Sequence, residues 1–354
     1  MSEFDCSGLK AYSGYFNDTE KLLQSSSGGA ATVISELILT GGGVVFGSAY
    51  SADFRTPEFA LIERKEDLCR LKGSKYAETS KRVFHDGEYK ALWPLVAEKL
   101  ESGLTVLFTG LGCDVAALKS FLKARGTDTS KLYTIDLICY GSTLQEVHRQ
   151  YIEMLEKKYE SRVIKFTVRY KKHGWTPPYI FAEFENGSKF CTKFYASDYG
   201  KAFSLYARRP CYGCNFRGKN HQADITVGDF WGLTQNMSGW NKNGVSVLIV
   251  RTEKGEELIR NIDTKQFTVQ EADAEFVIEH NRMYYRRREK VSDYDKFCED
   301  LKSVGLHKAI VNHYGFRKYY LSPLKARVKR FIKRILHRAV CLCKIQRALN
   351  LSSQ

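Results

Sequence analysis

The chain has no apolar run long enough to cross a membrane. A spanning helix needs about 20 consecutive apolar residues, and the apolar segments of this 354-residue sequence are much shorter. The sequence also does not open with basic residues followed by an apolar stretch, which is the pattern of a secretory signal. These two absences predict a cytoplasmic protein. Its ten cysteines are therefore expected to be reduced, and to be free, metal-bound or catalytic more often than disulfide-bonded.

Acidic residues are absent between Arg317 and Arg347, although Lys and Arg recur throughout that stretch. The formal net charge of the chain is +15, and most of it lies there. Apolar residues at helical spacing over 324–343 predict an amphipathic helix with a basic face. Such a helix lies on an anionic membrane surface, packs against its own protein, or contacts nucleic acid. No nucleic-acid-binding motif accompanies the charge, so we expect no nucleic-acid partner and keep the inner face of the membrane as an alternative location.

No internal repeat or low-complexity segment is present, so local patterns predict the fold. The elements predicted in the first half are helices over 30–39, 87–101, 116–124 and 144–159, and strands over 44–50, 58–64, 106–108 and 132–138. Thr143 and Glu146 have the spacing of a capping box at the start of the last helix. Strands that alternate with helices are typical of a parallel sheet with right-handed crossovers.

The second half has a different pattern. Aromatic-rich segments over 162–194 alternate as strands do, a buried strand is predicted over 245–252, and residues 255–310 have a mostly helical pattern. We therefore predict an α/β fold of the mixed α+β type. It has a partly parallel sheet with flanking helices, an aromatic-rich β segment and a helical C-terminal tail.

Four cysteines are candidates for a shared site. Cys113 and Cys139 each follow a predicted parallel strand, and the carboxyl ends of such strands meet at one sheet edge, where ligands bind. Cys211 and Cys214 form a CxxC, whose two sulfurs reach one metal ion or cluster without strain. Four thiolates suit an iron–sulfur cluster or a structural zinc ion. A redox-active dithiol and ordinary buried thiols remain alternatives.

Two glycine-containing turns are candidates for binding a phosphate. The "SSSGG" turn over 25–29 opens a helix with free amides and hydroxyls, and "GSKY" over 73–76 adds a lysine. Each of them is alternatively a simple loop or helix cap. The "GLGCDV" sequence over 110–115 imitates a dinucleotide fingerprint, but Val115 occupies the third glycine position and a thiol lies at the pyrophosphate position. A conventional nicotinamide site is therefore not expected there.

Seven ordered motifs together give the chain a family resemblance from about residue 14 to residue 232. They are "SSSGG", "GGVVFGSAY", "LKGSKYAETS", "VLFTGLGCDVAALKSFL", "LYTIDLICYGS", "VRYKKHGW" and "RPCYGCNFRGKNHQADITVGDFWG". With these motifs the sequence resembles the coenzyme F420 (deazaflavin) hydrogenase/dehydrogenase beta-subunit family. It resembles a short form of that family, without the N-terminal ferredoxin segment that many members carry.

The resemblance implies FAD binding and electron transfer through a 4Fe-4S cluster. It assigns the cluster to Cys113, Cys139, Cys211 and Cys214. It assigns the flavin to Ser27, Gly28, Gly29, Gly73, Ser74, Lys75 and Tyr76. Gly228, Asp229 and Trp231 are expected to shape the site beside the CxxC. His173, His221 and Tyr140 are polar candidates, but none of them is assigned as a general acid or base.

The resemblance leaves the substrate open. The family's usual Gly-Thr-Pro-Cys-Gln is Gly-Leu-Gly-Cys-Asp over 110–114, and its Cys-His-Gly is Cys-Tyr-Gly over 139–141, so the neighbours that tune a cluster differ. Expected partners are an electron donor or acceptor protein, or a deazaflavin or nicotinamide coenzyme. Short members are often associated with surface-polysaccharide synthesis, so a sugar derivative is an alternative electron acceptor for the oxidoreductase. A non-redox accessory or transferase-like protein of polysaccharide synthesis, with a structural four-cysteine metal site, is the alternative function.

Three regions are expected along the chain. Residues 1–103 are predicted as a flavin-side domain, residues 104–270 as a cluster-bearing α/β domain, and residues 271–354 as a helical region that ends in the basic helix.

Overall fold

The computed structural model describes residues 8–316 and 318–319. The predicted basic helix over 324–343 lies outside the described residues, as do Cys6, Cys341 and Cys343. Within the described residues, no helix is both long and apolar enough to span a membrane. The chain forms two compact units, divided between Val291 and Ser292.

All strands of the described residues lie in the first unit. In the described part of the chain they are β1 (Lys10–Phe16), β2 (Val44–Tyr50), β3 (Pro57–Ile62), β4 (Ser80–His85), β5 (Glu88–Ala91), β6 (Val106–Leu111), β7 (Leu132–Leu137), β8 (Val163–Tyr170), β9 (Tyr179–Phe184), β10 (Lys189–Lys193), β11 (Ile225–Asp229), β12 (Ser246–Val250) and β13 (Phe267–Ala272).

Helices connect the strands of the first unit, and the second unit contributes the last two helices of the described residues. The helices are α1 (Thr19–Gln24), α2 (Ala30–Thr40), α3 (Leu92–Glu101), α4 (Gly112–Arg125), α5 (Gln145–Tyr159), α6 (Asp198–Leu205), α7 (Arg209–Tyr212), α8 (Glu253–Arg260), α9 (Ala274–His280), α10 (Tyr294–Ser303) and α11 (Leu306–Tyr314). Short 3-10 turns occur at Lys65–Leu71, Phe194–Ala196, Gly218–Asn220 and Arg282–Tyr284.

One ten-stranded sheet organises the first unit, in the order β13-β1-β12-β11-β7-β6-β2-β3-β4-β5. Its centre is parallel, because β6 pairs in parallel with both β2 and β7, and β7 pairs in parallel with β11. Antiparallel pairs lie on both sides of this centre, between β2 and β3 and between β11 and β12. The aromatic-rich β8, β9 and β10 form a separate antiparallel sheet. The predicted mixed α/β class and partly parallel sheet are confirmed.

The central strands are largely apolar and buried because helices cover both faces of the sheet. In β6, Leu107 packs in the core that includes Ile34 of α2. Its neighbour Phe108 points to the opposite face and packs with Leu118 of α4. Leu107 and Phe108 are both fully buried. The two cores fix the register of the strands and therefore fix where their carboxyl ends emerge.

Several local predictions were wrong in informative ways. The helix predicted over 87–101 is a short strand, β5, followed by α3, because β5 closes a hairpin with β4. The mostly helical region includes β13, which pairs with β1 at an edge of the sheet. Thr143 does not cap α5, because its hydroxyl donates to the Tyr206 carbonyl at 2.7 Å. The contacts of β13 and of Thr143 join segments that are distant in sequence, so they leave little local signal.

Candidate functional site

The carboxyl ends of β6, β7 and β11 lie side by side, since these three strands are parallel neighbours. Strand β6 extends to Leu111, so Cys113 lies in the first turn of α4 rather than directly after the strand. Cys139 lies two residues beyond β7, and Asp229 is the last residue of β11. The topology therefore brings these residues to one edge of the sheet, as the sequence predicted for the two cysteines.

The loop over 139–143, which contains Cys139, contacts the segment that contains the CxxC. The amide of Gly141 donates to Cys139 Sγ at 3.2 Å. A Cβ on Gly141 would lie 3.2 Å from Cys211 Cβ and 3.7 Å from Cys211 Sγ. The amide of Arg208 donates to the Ser142 carbonyl at 2.8 Å. Cys139 and Cys211 thus lie on either side of one glycine, in two segments joined by a backbone hydrogen bond.

The four thiols influence one another electrostatically. Burial raises the pKa of Cys113 to about 12, and Asp114 and Cys139 add to that effect. Burial raises the pKa of Cys139 to about 11, and Cys211 and Cys214 oppose its ionisation further. A reactive dithiol uses the opposite shift, a lowered thiol pKa. Within the described residues, no group of three or more His, Cys, Asp or Glu is arranged to hold a metal ion.

Arginine side chains surround the cysteine loops. Arg217 Nη1 donates to the Cys139 carbonyl at 2.7 Å, and Arg287 Nε donates to the Cys214 carbonyl at 2.9 Å. Arg288 is only 7% exposed and lies 4.6 Å from the centre of the Tyr140 ring. Neither Nη1 nor Nη2 of Arg288 has a hydrogen-bond partner among the described residues. Cys139 and Cys211 interact electrostatically with this buried, unpaired cation, and a buried cation of this kind suits an anionic, thiolate-held cluster.

The two glycine-containing turns meet each other. Ser74 Oγ donates to Ser26 Oγ at 3.1 Å, and Lys72 Nζ donates to Gln24 Oε1 at 2.8 Å. The second turn also continues into the cysteine loop, because the amide of Thr143 donates to the Tyr76 carbonyl at 2.9 Å. The turns and the loop that carries Cys139 therefore form one hydrogen-bonded surface.

Within the first turn, the predicted residues make close contacts with the protein itself. Ser27 Oγ donates to the Val245 carbonyl at 2.8 Å. A Cβ on Gly28 would lie 2.0 Å from the Gly14 carbonyl oxygen, so glycine is required there by contact with β1. Gly29 has a φ of +100°, which only glycine adopts without strain. The packing of the turn against β1 and β12 thus accounts for both glycines.

Within the second turn, Lys75 is committed to its own backbone. Its Nζ donates to the carbonyls of residues 70, 71, 72 and 73 at 2.9–3.3 Å. Burial lowers the pKa of Lys75 to about 7, while the four carbonyl oxygens solvate the ammonium. Gly73 has a φ of +77°. The ring of Tyr76 stacks on Phe203, with 4.5 Å between centroids.

Two cations that the sequence analysis did not assign hold the first turn. Arg169 Nη2 donates to the Ser26 carbonyl at 2.9 Å and to Asp229 Oδ1 at 3.0 Å. Lys171 Nζ donates to the carbonyls of Leu22 and Ser27 at 2.8 and 2.7 Å. Burial lowers the pKa of Lys171 to about 7. The spacing of Arg169 and Lys171 within "VRYKKHGW" could have predicted that the two cations act together, because residues two apart point to the same face of a strand.

Aromatic side chains cover the same edge. Tyr195 is 57% exposed and Tyr140 is 39% exposed, which is unusual for large rings. Tyr140 lies 5.9 Å from Phe203, the ring on which Tyr76 stacks. These rings and the Arg169 guanidinium fit the planar, partly anionic body of a flavin.

A cavity of about 370 Å³ adjoins the end of β11. Trp231, Glu279, His280, Arg282 and Met283 line it. Trp231 packs on Trp175 with 4.5 Å between centroids, and Trp175 Nε1 donates to Asp229 Oδ1 at 3.2 Å. Asp229 and Trp231 therefore shape this side of the edge.

Two of the polar candidates, His221 and His173, and the predicted site residue Gly228 have contacts within the protein. His221 Nδ1 lies 2.7 Å from Asp136 Oδ2, and its buried ring stacks on Tyr284. The ring of His173 lies edge-on to Tyr179 at 5.6 Å. A Cβ on Gly228 would lie 2.7 Å from the Ile138 side chain. Each of these three residues therefore has a contact within the protein.

Comparison with known proteins gives a family match for about half of the chain. Residues 103–275 match the family described as the C terminus of the coenzyme F420 hydrogenase/dehydrogenase beta subunit. This segment belongs to that family. The resemblance found in the motifs is thereby confirmed, and the family segment contains all four cysteines, Arg169 and Asp229.

A solved structure shares the fold. The chain is similar to a chain of the F420-reducing [NiFe] hydrogenase complex from Methanosarcina barkeri, with a TM-score of 0.51 and 19% sequence identity. The similarity covers 77% of this chain and 89% of that one. No curated protein matches the chain.

Proposed function

We propose that the protein is an oxidoreductase that uses FAD and a 4Fe-4S cluster. The observation that carries the proposal is the hydrogen-bonded surface that runs from the two turns to the cysteine loop. Ser74 bonds to Ser26, Tyr76 bonds to Thr143, and Arg208 bonds to Ser142 beside Cys211. A flavin on the turns and a cluster on the cysteines would then be neighbours, as electron transfer between them requires.

The residues for each cofactor follow from their chemistry. Cys113, Cys139, Cys211 and Cys214 would hold the cluster, and the turns that contain Ser27–Gly29 and Gly73–Tyr76 would hold the flavin. When bound, FAD supplies hydride transfer and the cluster supplies single-electron transfer. Arg169 and Lys171 fix the first turn through its carbonyls, and the ring of Tyr76 offers a planar surface.

The redox partner is proposed by chemical class. The similar chain comes from a hydrogenase complex that reduces F420, so a deazaflavin coenzyme or an electron-carrying protein is the first candidate here. The cavity beside Trp231 offers an aromatic wall with Arg282 and His280 close by, which suits a planar, anionic compound.

The test is the composition of the protein purified without oxygen. We expect flavin absorption, a broad iron–sulfur shoulder, and iron and acid-labile sulfide in equal amounts. Cys211→Ser should lose the iron and sulfide but keep the flavin. Cys191→Ser is the control, because Cys191 is exposed on β10, in the separate antiparallel sheet.

A different composition would contradict the proposal. A colourless protein that resists reconstitution with FAD, iron and sulfide would exclude the redox function. Zinc in place of iron, lost in Cys211→Ser, would instead support a structural site with four cysteine ligands.

A further inference from the structure

The residues after the family-matched segment contact both cysteine loops. Residues 282–288 are called here the arginine segment. Arg287 donates to the Cys214 carbonyl and, through Nη2, to Asn215 Oδ1 at 2.8 Å. The Met283 carbonyl accepts from Arg217, which also donates to the Cys139 carbonyl. The arginine segment is therefore tied to the CxxC and to the loop after β7.

Arg288 differs from its neighbours in this segment. It is 7% exposed, whereas Arg286 and Arg287 are exposed. Its guanidinium has a ring contact with Tyr140 but no hydrogen-bond acceptor at Nη1 or Nη2 among the described residues. Arginine stays protonated in proteins, so a full positive charge is buried here without an anion. Such a charge is unfavourable unless something negative binds beside it.

The nearest ionisable groups show where that anion would be. Cys139 and Cys211 both interact electrostatically with Arg288, as do Tyr140 and Tyr212. Arg288 lies over the ring of Tyr140, which follows Cys139, and its neighbour Arg287 bonds to the Cys214 carbonyl. An anion that compensates Arg288 is therefore expected beside these two cysteine loops.

We propose that Arg288 is a positioning residue that supplies the counter-charge for an anionic iron–sulfur cluster held by the four cysteines. This inference rests on the proposed function. A cluster with four thiolates is anionic, and its reduction adds one electron without a bond change or a proton. A fixed positive charge stabilises the reduced form more than the oxidised form. Arg288 should therefore raise the reduction potential of the cluster.

The experiment is a redox titration of the full chain, reconstituted without oxygen and followed by the electron paramagnetic resonance signal of the reduced cluster. In Arg288→Gln, the ratio of reduced to oxidised cluster at the wild-type midpoint should fall about tenfold, or about 59 mV for one electron. Arg286→Gln is the matched control, because it removes the same charge two residues away at an exposed position. Its midpoint should equal that of the wild type, since water screens the charge.

A second variant keeps the test valid if Arg288→Gln does not fold. In Arg288→His, the charge at this position can be switched by pH within one protein. The midpoint should rise as the pH falls through the titration of the imidazole, relative to the wild type over the same range. Arg288→Lys, which keeps the charge, should retain most of the wild-type potential.

The outcomes separate this inference from the proposed function. The inference is overturned if Arg288→Gln binds the full amount of cluster and has the wild-type midpoint potential. It is also overturned if the difference in midpoint potential between Arg288→His and the wild type does not change with pH. Either result leaves the cluster in place. A wild-type protein that binds no cluster overturns both.

Discussion

Asp229 is the carboxylate on which the polar contacts of the site converge. It pairs with Arg169 at 3.0 Å and accepts from Trp175, and Arg169 in turn holds the first turn through the Ser26 carbonyl. The side chain of Arg169 is only 6% exposed and that of Asp229 is 19% exposed. Because the pair is largely buried, loss of one partner leaves an uncompensated charge.

Asp229→Asn should therefore destabilise the protein by about 3 kcal/mol, near the lower end for a broken buried ion pair because Asp229 keeps some solvent contact. Urea unfolding of the purified variant would measure the change. It should also weaken FAD binding in reconstitution, since the first turn loses its anchor through Arg169.

Glu185→Gln is the control for that prediction. It breaks the Arg162–Glu185 pair, whose side chains are 78% and 55% exposed. Exposed pairs contribute about 0–1 kcal/mol. Equal destabilisation by the two substitutions would show that the Arg169–Asp229 pair is not a special buried contact.

At the scale of elements, the loop over 139–143 determines how close Cys139 comes to Cys211. Gly141 has a φ of +103°, and a Cβ there would contact Cys211. Gly141→Ala should strain the loop by about 1–3 kcal/mol and displace Cys211. We expect the iron content after reconstitution to fall to a small fraction of the wild-type value.

Gly187→Ala separates backbone strain from the contact with Cys211. Gly187 has a φ of +81°, and a Cβ there would meet nothing within 4 Å. This variant should lose stability comparably but keep its iron. If both variants lose iron to the same extent, the contact between Gly141 and Cys211 is not what matters.

Helix α5 carries a pH-dependent contribution to stability through His148. This residue is fully buried, its Nε2 donates to the Phe54 carbonyl at 2.7 Å, and Nδ1 has no partner among the described residues. Burial lowers the pKa of His148 to about 4. The unfolded chain binds the proton near pH 6.5, so the neutral folded form loses stability as the pH falls from about 6.5 towards about 4.

That difference in pKa corresponds to a loss of about 3 kcal/mol between these pH values. The free energy of unfolding, measured at intervals of pH, should show it in the wild type. His148→Phe removes the titrating group, so its stability should fall less steeply over the same interval. Parallel curves for the two proteins would contradict the assignment.

At the scale of the whole molecule, the sequence predicted the parts whose signals are local. The strands and helices around Cys113 and Cys139 follow from apolar runs that alternate with helical periodicity, and they place both thiols at one sheet edge. Strands β1, β4, β5 and β13 were missed, since each is stabilised by partner strands. The contacts of Arg169 and Lys171 with the first turn were missed because those carbonyl acceptors lie more than 140 residues away.

The central claim of this account is that the turns and the cysteine loop form one redox site. Its most direct test is photoreduction of the bound flavin, without oxygen, in the fully reconstituted protein, with the cluster followed by electron paramagnetic resonance. We predict that the cluster signal appears as the flavin is reduced in the wild type, and that it is absent in Cys211→Ser although its flavin is reduced normally. The contradicting result would come from a wild-type protein with both cofactors bound. Its flavin would be reduced, but its cluster would stay oxidised although the solution potential lies below the reduction potential of the cluster.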